Sequence, residues 1–547
     1  MVWERFTSLW RLSMRMKFLV VAAVLLAPMT AVAADPPVTF QTQPAGRILN
    51  DARTIAKMFG GEKAATEFNA GLKKKLGDKG LDGLDLDRPV LGYLLLADKT
   101  EDTVGVLAIP VTGEKAFLDL LERVEAPKPK AGEKGLYEFP SDDAKVRVMM
   151  RFDARHAYIA IGKDPTAALA PKALVPAAKL HRPADKAVVS VTVHFDRLPK
   201  ALREQVGTGL KELKTQLDEL RLPPDASAPA RKAVDELVKL GNRYTDLLQD
   251  AETASARLIL DATSGEAAIE IGLTGKPGSR LAKIIAERQP STNKFAGLIT
   301  PDTVAGFTLQ LPLFAKELQS AAVTGLEAGQ KQVGDNAPPQ FKTVIDETFK
   351  GIIRTVNDGE FDMAMSLRGP DKDGLYTFVG AVAFEDPSGL EKELRALYKK
   401  ELPPMYKGWF NLDVAQVGKT NIHQIKVGGL LPPEVQKVFG EDSSVALAFA
   451  PQGIFVVFGP DAVNAMKTAL AVKKAPSPSF EVVVNPARIG KLVTTLGQGL
   501  PPGFNGQDKV IPALAVSIEG GKELRIKLST NLKAFEGAGT LLPAGAP

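Results

Sequence analysis

Cysteine is absent from the 547 residues. Disulfides, thiol nucleophiles and cysteine-ligated metals are thereby excluded. Aromatic side chains make up only 6% of the chain, and Trp409 is the one tryptophan beyond Trp3 and Trp10 near its start. Sugar clefts and single-strand nucleic-acid grooves lean on aromatic stacking platforms, which are scarce here. An excess of charge is missing too. Lys and Arg total 69 against 64 Asp and Glu; residues 1–33 hold four of the basic and one of the acidic residues, leaving 65 against 63. That balance is no footprint for nucleic acid or an anionic membrane. Short basic clusters at Lys73-Lys74-Lys75 and at Lys128, Lys130 and Lys134 read as solvated surface. After residue 33 no run is long and apolar enough to cross a bilayer.

What is present begins with a leader. Arg11, Arg15 and Lys17 form a basic region, Phe18 to Ala27 an apolar run, and Ala31-Val32-Ala33 a small-x-small exit. This is the layout of a cleaved signal peptide over residues 1–33, with an apolar stretch too short to span. No twin arginine precedes the run, which points to the general export route, and no cysteine follows it to carry a lipid anchor. Met16-Lys17 would open such a leader by itself, so Met1 and Met16 both stand as starts. A periplasmic or extracellular soluble protein is expected. Its roughly 510 remaining residues are enough to bury a core without disulfides.

The strongest pattern is repetition. At 188–289, VVSVTVHF reads as a β-branched strand. Asp196 and Pro199 then open a helix. Leu198, Leu202, Val206, Leu210, Leu213, Leu217 and Leu220 recur along it at three- and four-residue steps. RLPPDASAPA breaks it, and a second helix lines up Val234, Leu237, Val238, Tyr244, Leu247 and Leu248, which predicts an antiparallel helical hairpin. ARLILDA and EAAIEIGL form a β-hairpin around Thr263-Ser264-Gly265, and SRLAKIIAE a closing helix. Residues 302–400 replay that order with TVAGFTLQL, a break at GDNAPPQ, FDMAMSLRG, LYTFVGAVAF and PSGLEKELRALY. Looser copies lie at 38–124 and at 480–537, the last with LPPGFNGQ in place of its second helix.

Two further segments match each other: KGLYEFP through HAYIAIGKDPTAAL, and TNIHQIKV through GIFVVFGPDAVNAMKTAL. The expected division is an N-terminal lobe at 34–296 (unit 38–124, insert 125–175, unit 187–290) and a C-terminal lobe at 297–547 (unit 302–400, insert 401–472, unit 479–540). Hairpins feeding helices predict an internally duplicated α+β fold, with antiparallel sheets, helices on one face and long helical hairpins. Alternating strands are half solvated, so one sheet face has to be covered, and a dry concave side would have room for a ligand. The stretches VAFEDPSGLEKELRALY, TNIHQIKV and GIFVVFGPDAVNAMKTAL resemble exported bacterial proteins classed as a domain of unknown function, over about a third of the chain. The resemblance implies export and brings no catalytic residues.

Chemistry is hard to find. His156, His181, His194 and His423 are the only histidines; none sits in a zinc spacing and HExxH is absent. G-x-S-x-G is absent as well. Ser291-Thr292-Asn293-Lys294 matches the S-x-x-K of penicillin-recognising enzymes, but Pro290 precedes it and no S-D-N or K-T-G accompanies it. Gly418-Lys419-Thr420 has a P-loop tail, yet Asp413 stands where the loop requires glycine, so a turn is the sounder reading. Asp82, Asp85 and Asp87 lack the glycine and distal glutamate of a calcium loop, and Asp142-Asp143 reads as a turn. No catalytic, cofactor-binding or metal residue is assigned, and no cofactor is expected. The reading is a non-catalytic binding or scaffold protein of the cell envelope. Its alternatives are a periplasmic carrier of an apolar ligand and an enzyme with a dispersed site. The partner would be an envelope protein or an apolar ligand, not nucleic acid.

Overall fold

The computed structural model describes residues 35–141, 143, 145–182, 186–218, 228–288, 290–312, 316–337, 342–400, 407–499 and 508–535. The leader at 1–33, most of RLPPDASAPA, the end of GDNAPPQ, LPPGFNGQ and the last twelve residues lie outside them. The chain is α+β and forms two compact units. One takes in the chain up to Lys211 with Asp250–Ser264 and Ala268–Lys283; the other holds Glu212–Gln249, Gly265–Ala267 and the chain from Ile284 on. No described helix is long and apolar enough to cross a membrane.

The strands of the first unit are β1 (Val38–Pro44), β2 (Pro89–Leu95), β3 (Val104–Pro110), β4 (Lys130–Ala131), β5 (Leu136–Phe139), β6 (Arg147–Asp153), β7 (His156–Gly162), β8 (Val189–His194), β9 (Ala251–Asp261) and β10 (Glu266–Gly275). Their ladders run β4-β5-β6-β7-β3-β2-β1-β8-β9-β10, antiparallel from β4 to β9. Helix Ala45–Leu76 follows β1 and is broken at Gly61, whose φ of +67° a side chain would resist. Helix Glu114–Arg123 buries Phe117 and Leu120 against Met150 and Ala157. Leu91, Tyr93, Val106, Tyr158 and Leu169 form the main core.

The second unit contributes β11 (Thr292–Asn293), β12 (Thr303–Pro312), β13 (Glu360–Arg368), β14 (Thr377–Val382), β15 (Phe410–Val417), β16 (Thr420–Lys426), β17 (Ser444–Ala450), β18 (Gly453–Gly459), β19 (Ala475–Pro476), β20 (Phe480–Val484), β21 (Ile511–Glu519) and β22 (Leu524–Asn531). Its large sheet is antiparallel, in the order β15-β16-β17-β18-β14-β13-β12-β20-β21-β22. Phe295, Leu298, Val379, Ile422, Phe455, Val457 and Met466 make its core, with Phe295 and Phe455 edge-to-face at 5.4 Å. Helix Lys316–Asn336 packs against Lys342–Asn357 and also against Ala228–Leu248. Of the predicted helical stripe residues, Val206, Tyr244 and Leu248 stay exposed.

Candidate functional site

The central strands put their polar side inside. Successive strand residues point to opposite faces. On β1 and β8 the buried set is Gln41, Gln43, Ser190 and Thr192, whereas Val38, Phe40, Val189, Val191 and Val193 are only partly buried. Loop backbone makes this tolerable, because a buried amide needs partners. Gln41 donates to Arg182 O at 3.1 Å and accepts from Arg182 N at 2.7 Å, and Gln43 donates to Lys186 O.

The second unit repeats the inversion. Thr308 and Gln310 are buried; Thr308 Oγ1 meets Ser477 Oγ at 3.1 Å, and Gln310 N donates to Ser479 O at 2.7 Å. Alternation in VTFQTQ and VVSVTVHF suggests a solvated polar face, and the structure reverses it.

The apolar sides open most on the last two strands of each sheet. Leu258, Ile269 and Ile271 are 48–55% exposed in the first unit. Leu514, Ile526 and Leu528 are 39–47% exposed in the second. In the second unit Val482, Val516 and Phe307 extend that face through the registers Val482↔Leu514, Val516↔Leu528 and Phe307↔Val482. Single exposed apolar residues mean little; here they recur in rows on paired strands.

Among the described residues, two carboxylates and a histidine come within ligating distance of one another in the second unit. Glu391 and Arg395 stand one turn apart on helix Pro387–Lys400, and Asp413 and His423 face each other across the β15–β16 hairpin. The hairpin ladder slips between Asn411 and Ala415, and Asp413 takes φ +58°. That bulge turns the Asp413 N–H to His423 Nδ1, 3.2 Å away. Nδ1 therefore accepts, and the neutral ring carries its proton on Nε2, facing Glu391 Oε1 at 3.3 Å in a geometry short of a hydrogen bond.

Arg395 Nη1 donates to Asp413 Oδ2 at 2.7 Å, its Nε to Glu391 Oε1 at 2.9 Å, and Asn421 Nδ2 adds a 3.4 Å contact to Glu391. Burial and then the Arg395 charge hold the His423 pKa below its usual value, with Glu391 and Asp413 opposing. Hydrogen bonding from Arg395 holds Asp413 low. Glu391, Asp413 and His423 sit close enough to ligate a cation. Arg395 bonds both Asp413 oxygens and Glu391 Oε1, so the arrangement serves as a lock between helix and hairpin.

The other histidines stay apart. His156 is buried at the start of β7 with Nδ1 3.1 Å from Ala154 O, His181 is exposed after a short helix, and His194 ends β8 half-buried. Ser291 does not open a helix: Thr292–Asn293 pairs with Ala475–Pro476, and Ser291 Oγ lies 3.2 Å from Ser479 Oγ. The neighbouring Asn293 is fully buried, donating to Leu309 O at 2.9 Å and Met363 O at 3.2 Å while accepting from Phe295 N at 2.8 Å. Gly418-Lys419-Thr420 closes the β15–β16 turn, with Gly418 at φ +59°. Asp85 caps its own loop, accepting from Asp87 N at 3.3 Å and pairing with Arg88 at 3.3 Å. Asp143 accepts from Lys145 N at 2.8 Å, and Asp142 lies outside the described residues. The chain matches no protein-family model, no curated protein and no solved structure.

Proposed function

We propose that this chain is an exported, internally duplicated protein of the cell envelope that works by binding, without catalysis. The observation that carries the reading is the row of half-exposed apolar side chains on β9–β10 and again on β21–β22. Duplication is supported by connectivity. Counted from the first strand of each sheet, the order of ladders in the second unit is the order in the first. Each sheet also has β1 and β8, or β12 and β20, paired at its centre as the leading strands of two strand–helix–hairpin repeats. Helical arms fit the contact of Lys316–Asn336 with Lys342–Asn357, and the 3.3 Å Lys214–Asp246 ion pair between Lys200–Asp218 and Ala228–Leu248. Export rests on the leader at residues 1–33. The lock at Arg395 favours binding over the dispersed enzyme, since the arginine ties up Asp413 and Glu391 Oε1 and the Asp413 backbone N–H occupies His423 Nδ1.

A carrier of an apolar ligand is the second reading, favoured by the composition of the same faces. Mass spectrometry of the chain purified natively from its own envelope separates the two. A stoichiometric protein that is lost from the Ile269→Lys/Ile271→Lys variant supports binding. A lipid lost from that variant supports the carrier. Retention of every companion by the variant refutes both.

A further inference from the structure

A second place in the first unit is built on charge. Under the loop that covers the polar side of β1 and β8, a cavity of about 210 Å³ opens at the strand ends. Thr39, Lys179, Arg182, His194 and Arg197 line its polar side together with one carboxylate, Asp35, and Val175 and Leu180 its apolar wall. Three permanent cations thus meet around one small space. Arg182 Nη1 donates to Thr192 Oγ1 at 2.8 Å, which fixes the guanidinium and leaves most of its donors unspent. Arg197 has only loose contacts, 3.9 Å to Asp35 and 3.9 Å to Asp196, both on exposed carboxylates. Among the described residues no carboxylate lies within ion-pair distance of Lys179.

The second unit supplies a control. His194 N donates to Pro37 O at 2.7 Å, and Asn485 N donates to Val304 O at 2.7 Å, so the two residues occupy like positions at the ends of β8 and β20. Each is followed three residues on by an arginine. Arg488, unlike Arg197, is held by close partners: Nη1 donates to Gly369 O at 2.7 Å and Nε to Asp508 Oδ1 at 3.2 Å, and its backbone N–H donates to Asn485 Oδ1 at 3.1 Å. The same position is closed by its own chemistry in one unit and left with a surplus of donors in the other.

We propose that the cleft of the first unit binds a small anion through a phosphate or carboxylate group, held by Arg182, Arg197 and Lys179. Planar guanidinium forks match both groups, and the lysine adds a point charge at the mouth. The contrast between units rests on the proposed duplication; the cleft does not, and it is separate from the apolar faces. Burial, and then Arg197 and Arg182, hold the His194 pKa below its usual value against the opposing pull of Asp196 and Asp35, which agrees with a net positive field in the cleft.

Isothermal titration of the full chain with inorganic phosphate, and separately with malonate, tests this at an ionic strength held constant with chloride. Saturable one-to-one binding of either is expected. Phosphate alone identifies a phosphoryl ligand, and malonate alone a carboxylate. Arg197→Ala should weaken binding about ten-fold and Arg197→Lys less, since a charged hydrogen bond of this kind contributes about that factor. Lys179→Ala, at an exposed position of the short helix Ala177–Leu180, keeps the test valid should the arginine variant fail to fold. Arg488→Ala should leave the affinity unchanged, as should Ile269→Lys, whose failure would touch the docking faces alone. No saturable binding of either anion, or equal affinity in Arg197→Ala and Lys179→Ala, overturns the proposal.

Discussion

Replacing Arg395 by methionine removes the cation that joins Glu391 to Asp413 while keeping most of the stem's packing volume. Taking one partner from a fully buried ion pair costs about 3–5 kcal/mol. Glu391 is 16% exposed and Arg395 27%, so partial solvation brings that share to about 2 kcal/mol. Asp413 is 48% exposed, and screening limits its share to about 0.5 kcal/mol. The sum, about 2.5 kcal/mol, corresponds to a fall in Tm of about 4 °C for a unit of roughly 300 residues. Trp409 borders β15, so fluorescence of the chain without residues 1–33 reads this unit selectively.

The pH dependence is the sharper test. His423 has a folded pKa below 6.5. The unfolded chain therefore takes up its proton first, and wild-type stability is lost as pH falls below that value. Asp413, held below 3.8, adds a further loss at lower pH. In Arg395→Met the arginine's push on His423 is gone and the two carboxylates favour its protonation. The stability gap between wild type and variant should therefore narrow between pH 7.5 and pH 5. A constant gap, or a variant as stable as wild type at pH 7.5, would refute the lock.

Asn293→Ala should cost about 2–3 kcal/mol in urea unfolding, because it leaves buried Leu309 O, Met363 O and Phe295 N with fewer partners. Ser291→Ala, two residues away, should stay within about 0.5 kcal/mol. Burial alone raises the Glu481 pKa above 4.5, so Glu481→Gln should stabilise the chain at pH 7 by about 1 kcal/mol. The sign follows from linkage: the folded state binds the proton more tightly, so wild type regains the difference as pH falls through the folded pKa. Gly351→Ala should destabilise by about 1–3 kcal/mol, since its Cβ would stand 2.0 Å from the Phe384 ring carbon Cζ. A thermal melt matching wild type would show that the ring can move aside.

Much of the local structure was legible because it is set by neighbours in the chain. β-Branched runs such as VVSVTVHF became strands, the Gly418 turn closed a hairpin, and SRLAKIIAE formed a helix. The Arg395 lock was half visible. Glu391 and Arg395 share a helical face by their four-residue spacing, and counting outward from the Gly418 turn brings Asp413 and His423 to nearly opposite positions. What spacing could not supply was the bulge that aims the Asp413 N–H at His423, or the packing of that hairpin on that helix. The S-x-x-K match failed for the complementary reason, since four residues fix a helical face only if a helix forms.

Sequence alone determined the absence of thiol chemistry, the near-neutral charge, the export leader pattern and the period-two alternation of the central strands. Alternation says that a strand has two unlike faces, and nothing more. Which face is buried depends on what the rest of the chain brings over it. Here the backbone at Arg182 pairs both ends of the Gln41 amide and Lys186 O accepts from the Gln43 amide nitrogen, which puts the amides inside and leaves apolar side chains partly open. That choice, and the surplus of cations beside His194, depend on loops folding back over strands distant in sequence, and only the tertiary structure decides them.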